Sequence, residues 1–198
     1  MTDYPYRFDR TSDSGRIRER HADLEAGTET GDVVRIAGRV MTTREHGKIA
    51  FADIQDAEGR MQLFAQQAVL GDEGMESFKA ISVGDIVGAE GVVMKTRRGE
   101  LSIKVSSVDV LAKCLRPMPE KWHGMTDVET RYRQRYLDLI TNPEARRLMY
   151  ARVDMLAAIR AFMDERDFME VETPLLQPIA GGAVARPFVT HHNALNID

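Results

Sequence analysis

Cysteine occurs once in this 198-residue chain, at Cys114. No internal disulfide can form, which fits a reducing compartment. Long apolar runs are missing too: nothing approaches the roughly 18 residues needed to cross a bilayer. The opening MTDYPYRFDR has no basic stretch followed by an apolar core, so no signal peptide is read and the expected address is cytoplasmic. Nor is there an excess of positive charge. The net charge of −4 excludes a coat of cations for indiscriminate phosphate binding. It leaves room for a local nucleic-acid face, because affinity depends on where the charges sit. No repeat or low-complexity segment is present, and no Cys/His spacing suits zinc. His191 and His192 are adjacent, so on a strand they point to opposite faces and cannot both ligate one metal. No metal site is expected.

The first 30 residues are polar, an N-terminal extension in which RIRERHADLEAG reads as a charged helix ending at a Gly27 cap. From Gly31 the texture changes to short alternating segments between glycines. VVRIAGRVM, KIAFADIQ, MQLFAQQ, DIVGAEGVVMKT and ELSIKVSSVDVLAK read as five strands, with a helical patch near Asp72–Ile81 between the third and fourth. Five strands with a helix in that place is the pattern of an OB-fold β-barrel, here expected over 31–114. LRPMPEKWHG, with two prolines and a glycine, reads as a linker (115–125). From 126 the period becomes helical. Thr126 and Glu129 form a possible capping box ahead of TDVETRYRQRYLDLI. Asn142-Pro143 then starts a second helix, expected to reach Arg166 and to be about 36 Å long. Its apolar positions, among them Leu156, Ile159 and Phe162, form one stripe that needs a partner surface.

The polar face of such a barrel is where bases stack and are read. Alternation in KIAFADIQ puts Phe51 with Asp53 and Gln55, opposite Ala50, Ala52 and Ile54. In the next strand Gln62 and Phe64 share the outward parity, and Glu100 is in phase with Ser102 and Lys104. Arg39 and Arg44 lie on or just past the first strand. An outward Phe51 beside Gln, Glu and Arg is suited to stack a base and read its edge; the alternative is a ring packed under the N-terminal helix or a loop. Across 31–117 acidic and basic residues are equal in number. That balance favours a selective reader of a few bases over a phosphate counter.

FMEVETPLLQPIAGGAVARPFVTHHNAL, a strand ending in Pro174 after a long helix, resembles motif 1 of the class II aminoacyl-tRNA synthetases. The continuation GGA, ARPF and THHNAL is similar to the lysyl-tRNA synthetases, as are RYRQRYLDLI, the linker and the barrel from GDVVRIAGRV to GELSI. The resemblance covers nearly the whole chain. It implies a mixed architecture: an OB-fold anticodon-binding barrel, then the beginning of an α+β class II catalytic domain over 126–198. The implied reaction joins lysine to tRNA(Lys) through a lysyl-adenylate, with ATP and Mg2+. The matching anticodon positions are Phe51 as the stacking ring and Arg44, Gln62 and Glu100 as polar readers, with Arg39 weaker. Gly182 and Ala183 match the edge of the lysine pocket. Leu156, Ile159, Phe162 and Pro174 fall in motif 1, which builds a homodimer.

The arginine-bearing motifs 2 and 3 of that family have no counterpart up to Asp198. The expectation is therefore that these residues alone bind tRNA but do not form lysyl-adenylate. Two further readings stay open: a stand-alone, non-catalytic OB-fold RNA-binding or interaction protein, and an aspartyl or asparaginyl relative, against which the ARPF and THHNAL stretches speak.

Overall fold

The computed structural model describes residues 4–119, 125–175, 186 and 188–198. The chain divides into two compact units, Met1–Thr126 and Asp127–Asp198. In the first, a short helix α1 (Ser14–Arg20) precedes strands β1 (Glu29–His46), β2 (Ile49–Gln55) and β3 (Arg60–Gln66). Helix α2 (Gln67–Lys79) and strands β4 (Ile86–Lys95) and β5 (Leu101–Ala112) complete it. The strands close in the order β1-β2-β3-β5-β4. Only the β3–β5 pairing is parallel. This is the OB-fold barrel that the strand count and the helix between β3 and β4 imply.

Alternation decides what fills the barrel. Ala50, Ala52 and Ile54 of β2 and Met61, Leu63 and Ala65 of β3 point inward with Ile36, Val87, Val93, Ile103 and Val105, forming one buried cluster. Residues between them on each strand stay partly open. At Gly91 a Cβ would meet the Lys104 carbonyl of the neighbouring strand. Glycine there allows β4 to bend closely over β5, where the register shifts between Glu90 and Gly91.

A second bulge matters for function. The β1–β2 register shifts between Val40 and Thr42. Val40 and Met41 are both buried, so the parity of β1 inverts there. Before the bulge the odd residues, including Arg39, face out; after it the even ones, Thr42 and Arg44, stand beside Asp53 and Phe51.

Asp85 fastens the barrel where β5 ends. It is fully buried, and its carboxylate accepts from Ser82 N at 2.8 Å, Lys113 Nζ at 2.8 Å and Cys114 N at 2.9 Å. Burial alone would raise its pKa. The donors from Cys114, Lys113 and Ser82 outweigh burial and hold it below the usual carboxylate value.

Several boundaries differ from the sequence expectation. Helix α1 starts at Ser14 and stops at Arg20, well short of Gly27. Gly27 does take a positive φ of 83°, but in the turn just before β1, where its N–H donates to the carbonyl of Lys95 at the end of β4 at 2.9 Å. Helix α2 begins at Gln67, earlier than Asp72, and kinks at Gly71.

In the second unit the expected single helix is two, α3 (Val128–Arg133) and α4 (Arg135–Thr141), broken at Gln134. The cap of α3 is Asp127, which accepts from Thr130 N at 2.7 Å, and not Thr126. Asp138 explains the break. Its buried carboxylate accepts from Arg131 Nε at 2.9 Å across Gln134, from Arg135, and from Asn142 Nδ2 at 3.3 Å. Helix α5 (Pro143–Asp164) starts as expected, with the Asn142 side chain accepting from Glu144 N at 3.0 Å. Leu148, Met155, Leu156, Ile159, Phe162 and Met163 are exposed along it. His192 forms an isolated bridge with Ile197, and His191 Nδ1 lies 2.8 Å from Asp198 Oδ1. Gly182 and Ala183 lie outside the described residues. Among the described residues, no helix is long and apolar enough to cross a membrane.

Candidate nucleic-acid interface

The outward residues of the barrel form rows that run across the strands. One row joins Arg44 of β1, Phe51 of β2, Phe64 of β3 and Lys104 of β5 through successive paired positions. A second, beside it, joins Thr42, Asp53, Gln62 and Ser102. Period-2 side-chain geometry makes both rows continuous on one face.

In the first row the rings of Phe51 and Phe64 stack, with centroids 5.0 Å apart and planes 20° from parallel. The Arg44 guanidinium lies 5.8 Å from the Phe51 centroid, and its Nη2 donates to Asp53 at 3.2 Å. At the other end Lys104 Nζ holds Glu29 at 2.8 Å. In the second row the Thr42 hydroxyl donates to Asp53, and Ser102 Oγ donates to Gln62 Oε1 at 3.0 Å. Asp53 is thus fully engaged. Gln62 keeps a free NH2 group, and the Glu100 carboxylate has no partner among the described residues.

The β2 and β3 members of these rows, with Arg44, line a groove of about 1140 Å³ that also takes in Glu100. Four of the five residues singled out for anticodon contact are therefore together. Arg39 is not with them. It pairs with Gln55, four residues (about 13 Å) along β2 from Phe51. Its Nη1 donates to the Gly84 carbonyl at 2.8 Å.

The groove also holds residues that were not among the site candidates. Phe64, outward in phase with Gln62, completes the aromatic floor. Arg97 and Arg98, in the turn between β4 and β5, line one wall without an acidic partner among the described residues. Two arginines in a tight turn directly before an outward Glu100 were the sign. Arg18 of α1 lines another part and donates to the Arg60 carbonyl. Helix α1 is anchored there because Asp56, in the β2–β3 turn, accepts from Ser14 N at 2.7 Å and from the Ser14 hydroxyl. The floor is aromatic, the wall is cationic, and an unpaired donor and acceptor sit between them. Such a surface suits a short single strand whose bases stack while its phosphates face arginine.

Comparisons with known proteins agree in kind. Residues 34–111 match the model of the OB-fold nucleic acid binding domain. Residues 127–197 match that of the class II tRNA synthetases (D, K and N). The chain is similar to lysine–tRNA ligase of Moorella thermoacetica, 52% identical over 191 residues, or 96% of this chain and 38% of that protein. It is 50% identical over 194 residues to the lysine–tRNA ligase of Synechococcus sp. (strain CC9311), covering 98% of this chain and 40% of the relative. The lysine–tRNA ligase of Carboxydothermus hydrogenoformans is also 50% identical, over 98% of this chain and 39% of its own length. The chain thus spans about two-fifths of the length of the curated relatives it matches, corresponding to their N-terminal part.

Proposed function

We propose, from the premise that this chain belongs to the lysyl-tRNA synthetase family, that its barrel binds the anticodon of tRNA(Lys) in the groove over β2 and β3. Phe51 stacks a base. Gln62 and Glu100 address base edges, Arg44 fixes the ring and the rim, and Arg39 takes no direct part. The observation that carries this reading is the Phe51–Phe64 stack, flanked by the Gln62 NH2 and the Glu100 carboxylate, neither of which has a partner among the described residues.

In the ligase reaction, a lysine carboxylate attacks the α-phosphate of ATP and displaces pyrophosphate, and a tRNA ribose hydroxyl then takes the lysyl group from the lysyl-adenylate and releases AMP. We assign this activity to the protein of which these residues form part, in the cytoplasm. Among the described residues no three His, Cys, Asp or Glu side chains converge to hold a metal. ATP and Mg2+ are assigned to none of the described residues. Gly182 and Ala183 are proposed at the edge of the lysine pocket, as positions where a larger side chain would crowd the substrate. Leu156, Ile159, Phe162 and Pro174 are proposed to meet a second copy of the chain.

The test is binding to an RNA stem-loop bearing a UUU anticodon. Phe51→Ala is expected to remove about 1–3 kcal/mol, the usual worth of one stacked base. Unchanged affinity would sink the stacking role.

A further inference from the structure

Ser102 sits on the outer parity of β5, in phase with Glu100 and Lys104, yet it is fully buried. It lies directly opposite Gln62 on the parallel β3–β5 ladder. Its hydroxyl has a single proton and two acceptors within reach, Gln62 Oε1 at 3.0 Å and the Glu100 carbonyl at 3.2 Å. The Glu100 carbonyl already takes the Thr96 N–H at 2.8 Å. A carbonyl can accept twice, but Gln62 Oε1 is the nearer of the two and takes no other proton among the described residues, so the hydroxyl proton favours Gln62. With its oxygen held, the carboxamide can present only its NH2 group to the groove, since a primary amide has one acceptor end and one donor end.

That polarity has a chemical consequence. The Watson–Crick edge of uracil offers an acceptor at O4 beside the N3–H donor, whereas cytosine offers an amino donor at N4 beside an acceptor at N3. Either group alone finds a partner on both bases, since the Glu100 carboxylate can accept from uracil N3–H or cytosine N4–H2 and an outward NH2 can donate to uracil O4 or cytosine N3. Discrimination comes from their order: with the Gln62 NH2 held at position 4 and the Glu100 carboxylate at position 3, uracil is matched at both places and cytosine meets donor with donor and acceptor with acceptor. Gln62 pairs with Ser102, which is two residues, about 6–7 Å, from Glu100, so the long side chains of Gln62 and Glu100 can reach one base edge.

We propose that Ser102 is a positioning residue that fixes the Gln62 carboxamide with its NH2 toward the groove, and that this selects uracil over cytosine at the base held there. The proposal rests on the nucleic-acid reading of the groove. It adds a residue that no base needs to touch.

The test uses the full 198-residue chain and four RNA stem-loops: one with three uridines in the anticodon and three with a single uridine replaced by cytidine. The wild-type chain is expected to prefer uridine at one position. Ser102→Ala leaves the carboxamide free to turn over, so that preference should fall about five- to ten-fold, the worth of one hydrogen bond. The Phe51 contribution should persist, and the thermal midpoint serves as the control for folding. Ser102→Thr keeps a hydroxyl and should keep the preference, and it decides the matter if the alanine variant does not fold. An unchanged ratio in Ser102→Ala overturns the positioning role, as does an equal loss for uridine and cytidine RNAs. Loss of the preference in a folded Ser102→Thr overturns it as well. Failure of the wild type to bind any of the four RNAs would instead overturn the reading of the groove, and this inference with it.

Discussion

Phe51 and Phe64 face each other across the β2–β3 ladder with ring centroids 5.0 Å apart. Each ring narrows the positions open to the other, so the pair behaves as one platform wider than a single base. Phe64→Ala should therefore weaken binding of a uridine-rich stem-loop even if the base sits on Phe51 alone. We expect a loss of about 1 kcal/mol, the worth of an aromatic pair beyond its buried area, and less than for Phe51→Ala. Fluorescence anisotropy with the two single variants and the double variant checks this. Losses that simply add would show that the rings act independently.

The groove wall gives a prediction about salt. Arg97 and Arg98 line it with no acidic partner among the described residues. Each phosphate neutralised by a single-strand binder contributes about 0.7 to the slope of log affinity against log salt. Replacing both arginines by alanine should lower that slope by about 1 to 1.5 and weaken all uridine and cytidine RNAs alike. A change in base preference with an unchanged slope would place these arginines on bases instead of phosphates.

How far this site was legible in the sequence depends on periodicity. In β2 and β3 each inward residue is apolar and the alternation is unbroken from Ile49 to Gln55 and from Met61 to Gln66. The outward set of Phe51, Gln62 and Phe64 could therefore be read directly. The bulge at Met41 could not, because an extra residue leaves no mark in a strand where Val40 and Met41 are both apolar. For that reason alternation alone did not separate Arg39, the weaker candidate, from Arg44, and only Arg44 lines the groove. Gln134 is a similar case. Nothing in RYRQRYL breaks a helix, and the break serves Asp138, whose partners Arg131 and Arg135 lie on the two sides of it. Ser102 looked like one more solvent-facing serine; its burial is a property of the closed barrel.

Asp85 should make the barrel sensitive to acid. Its pKa is lowered in the folded protein, since burial is outweighed by the donors from Cys114, Lys113 and Ser82. A carboxylate with a depressed folded pKa contributes stability that is fully present above its unfolded value, about 3.9. That contribution disappears as the pH falls through the folded value. Asp85→Asn should thus destabilise the barrel by about 2–3 kcal/mol at neutral pH. The gap between variant and wild type should shrink below about pH 4. Thermal melts of the two proteins from pH 3 to pH 7 check this, and a gap independent of pH would mean that the amide's geometry matters more than the lost charge.

The apolar stripe of α5 makes the last prediction. Leu156 is 39% exposed, and Ile159 and Phe162 are each 53% exposed. They are spaced three residues apart, so they lie on one side of the helix. The neighbouring turn holds Phe162 in place: the Arg166 guanidinium lies 3.5 Å from the centre of its ring and donates to the Phe162 carbonyl at 2.9 Å. Three large side chains with this exposure on one helix face form a surface that water disfavours and that a second copy can cover. The chain is therefore expected to self-associate with increasing concentration. Ile159→Asp should shift the midpoint of that association upward by at least ten-fold, because a charge would be buried on pairing. The same substitution should leave RNA binding by the barrel unchanged. Sedimentation at several concentrations separates the outcomes. A monomer at all concentrations would remove α5 as a self-interface, and association unaltered by Ile159→Asp would move that interface to another face of the molecule.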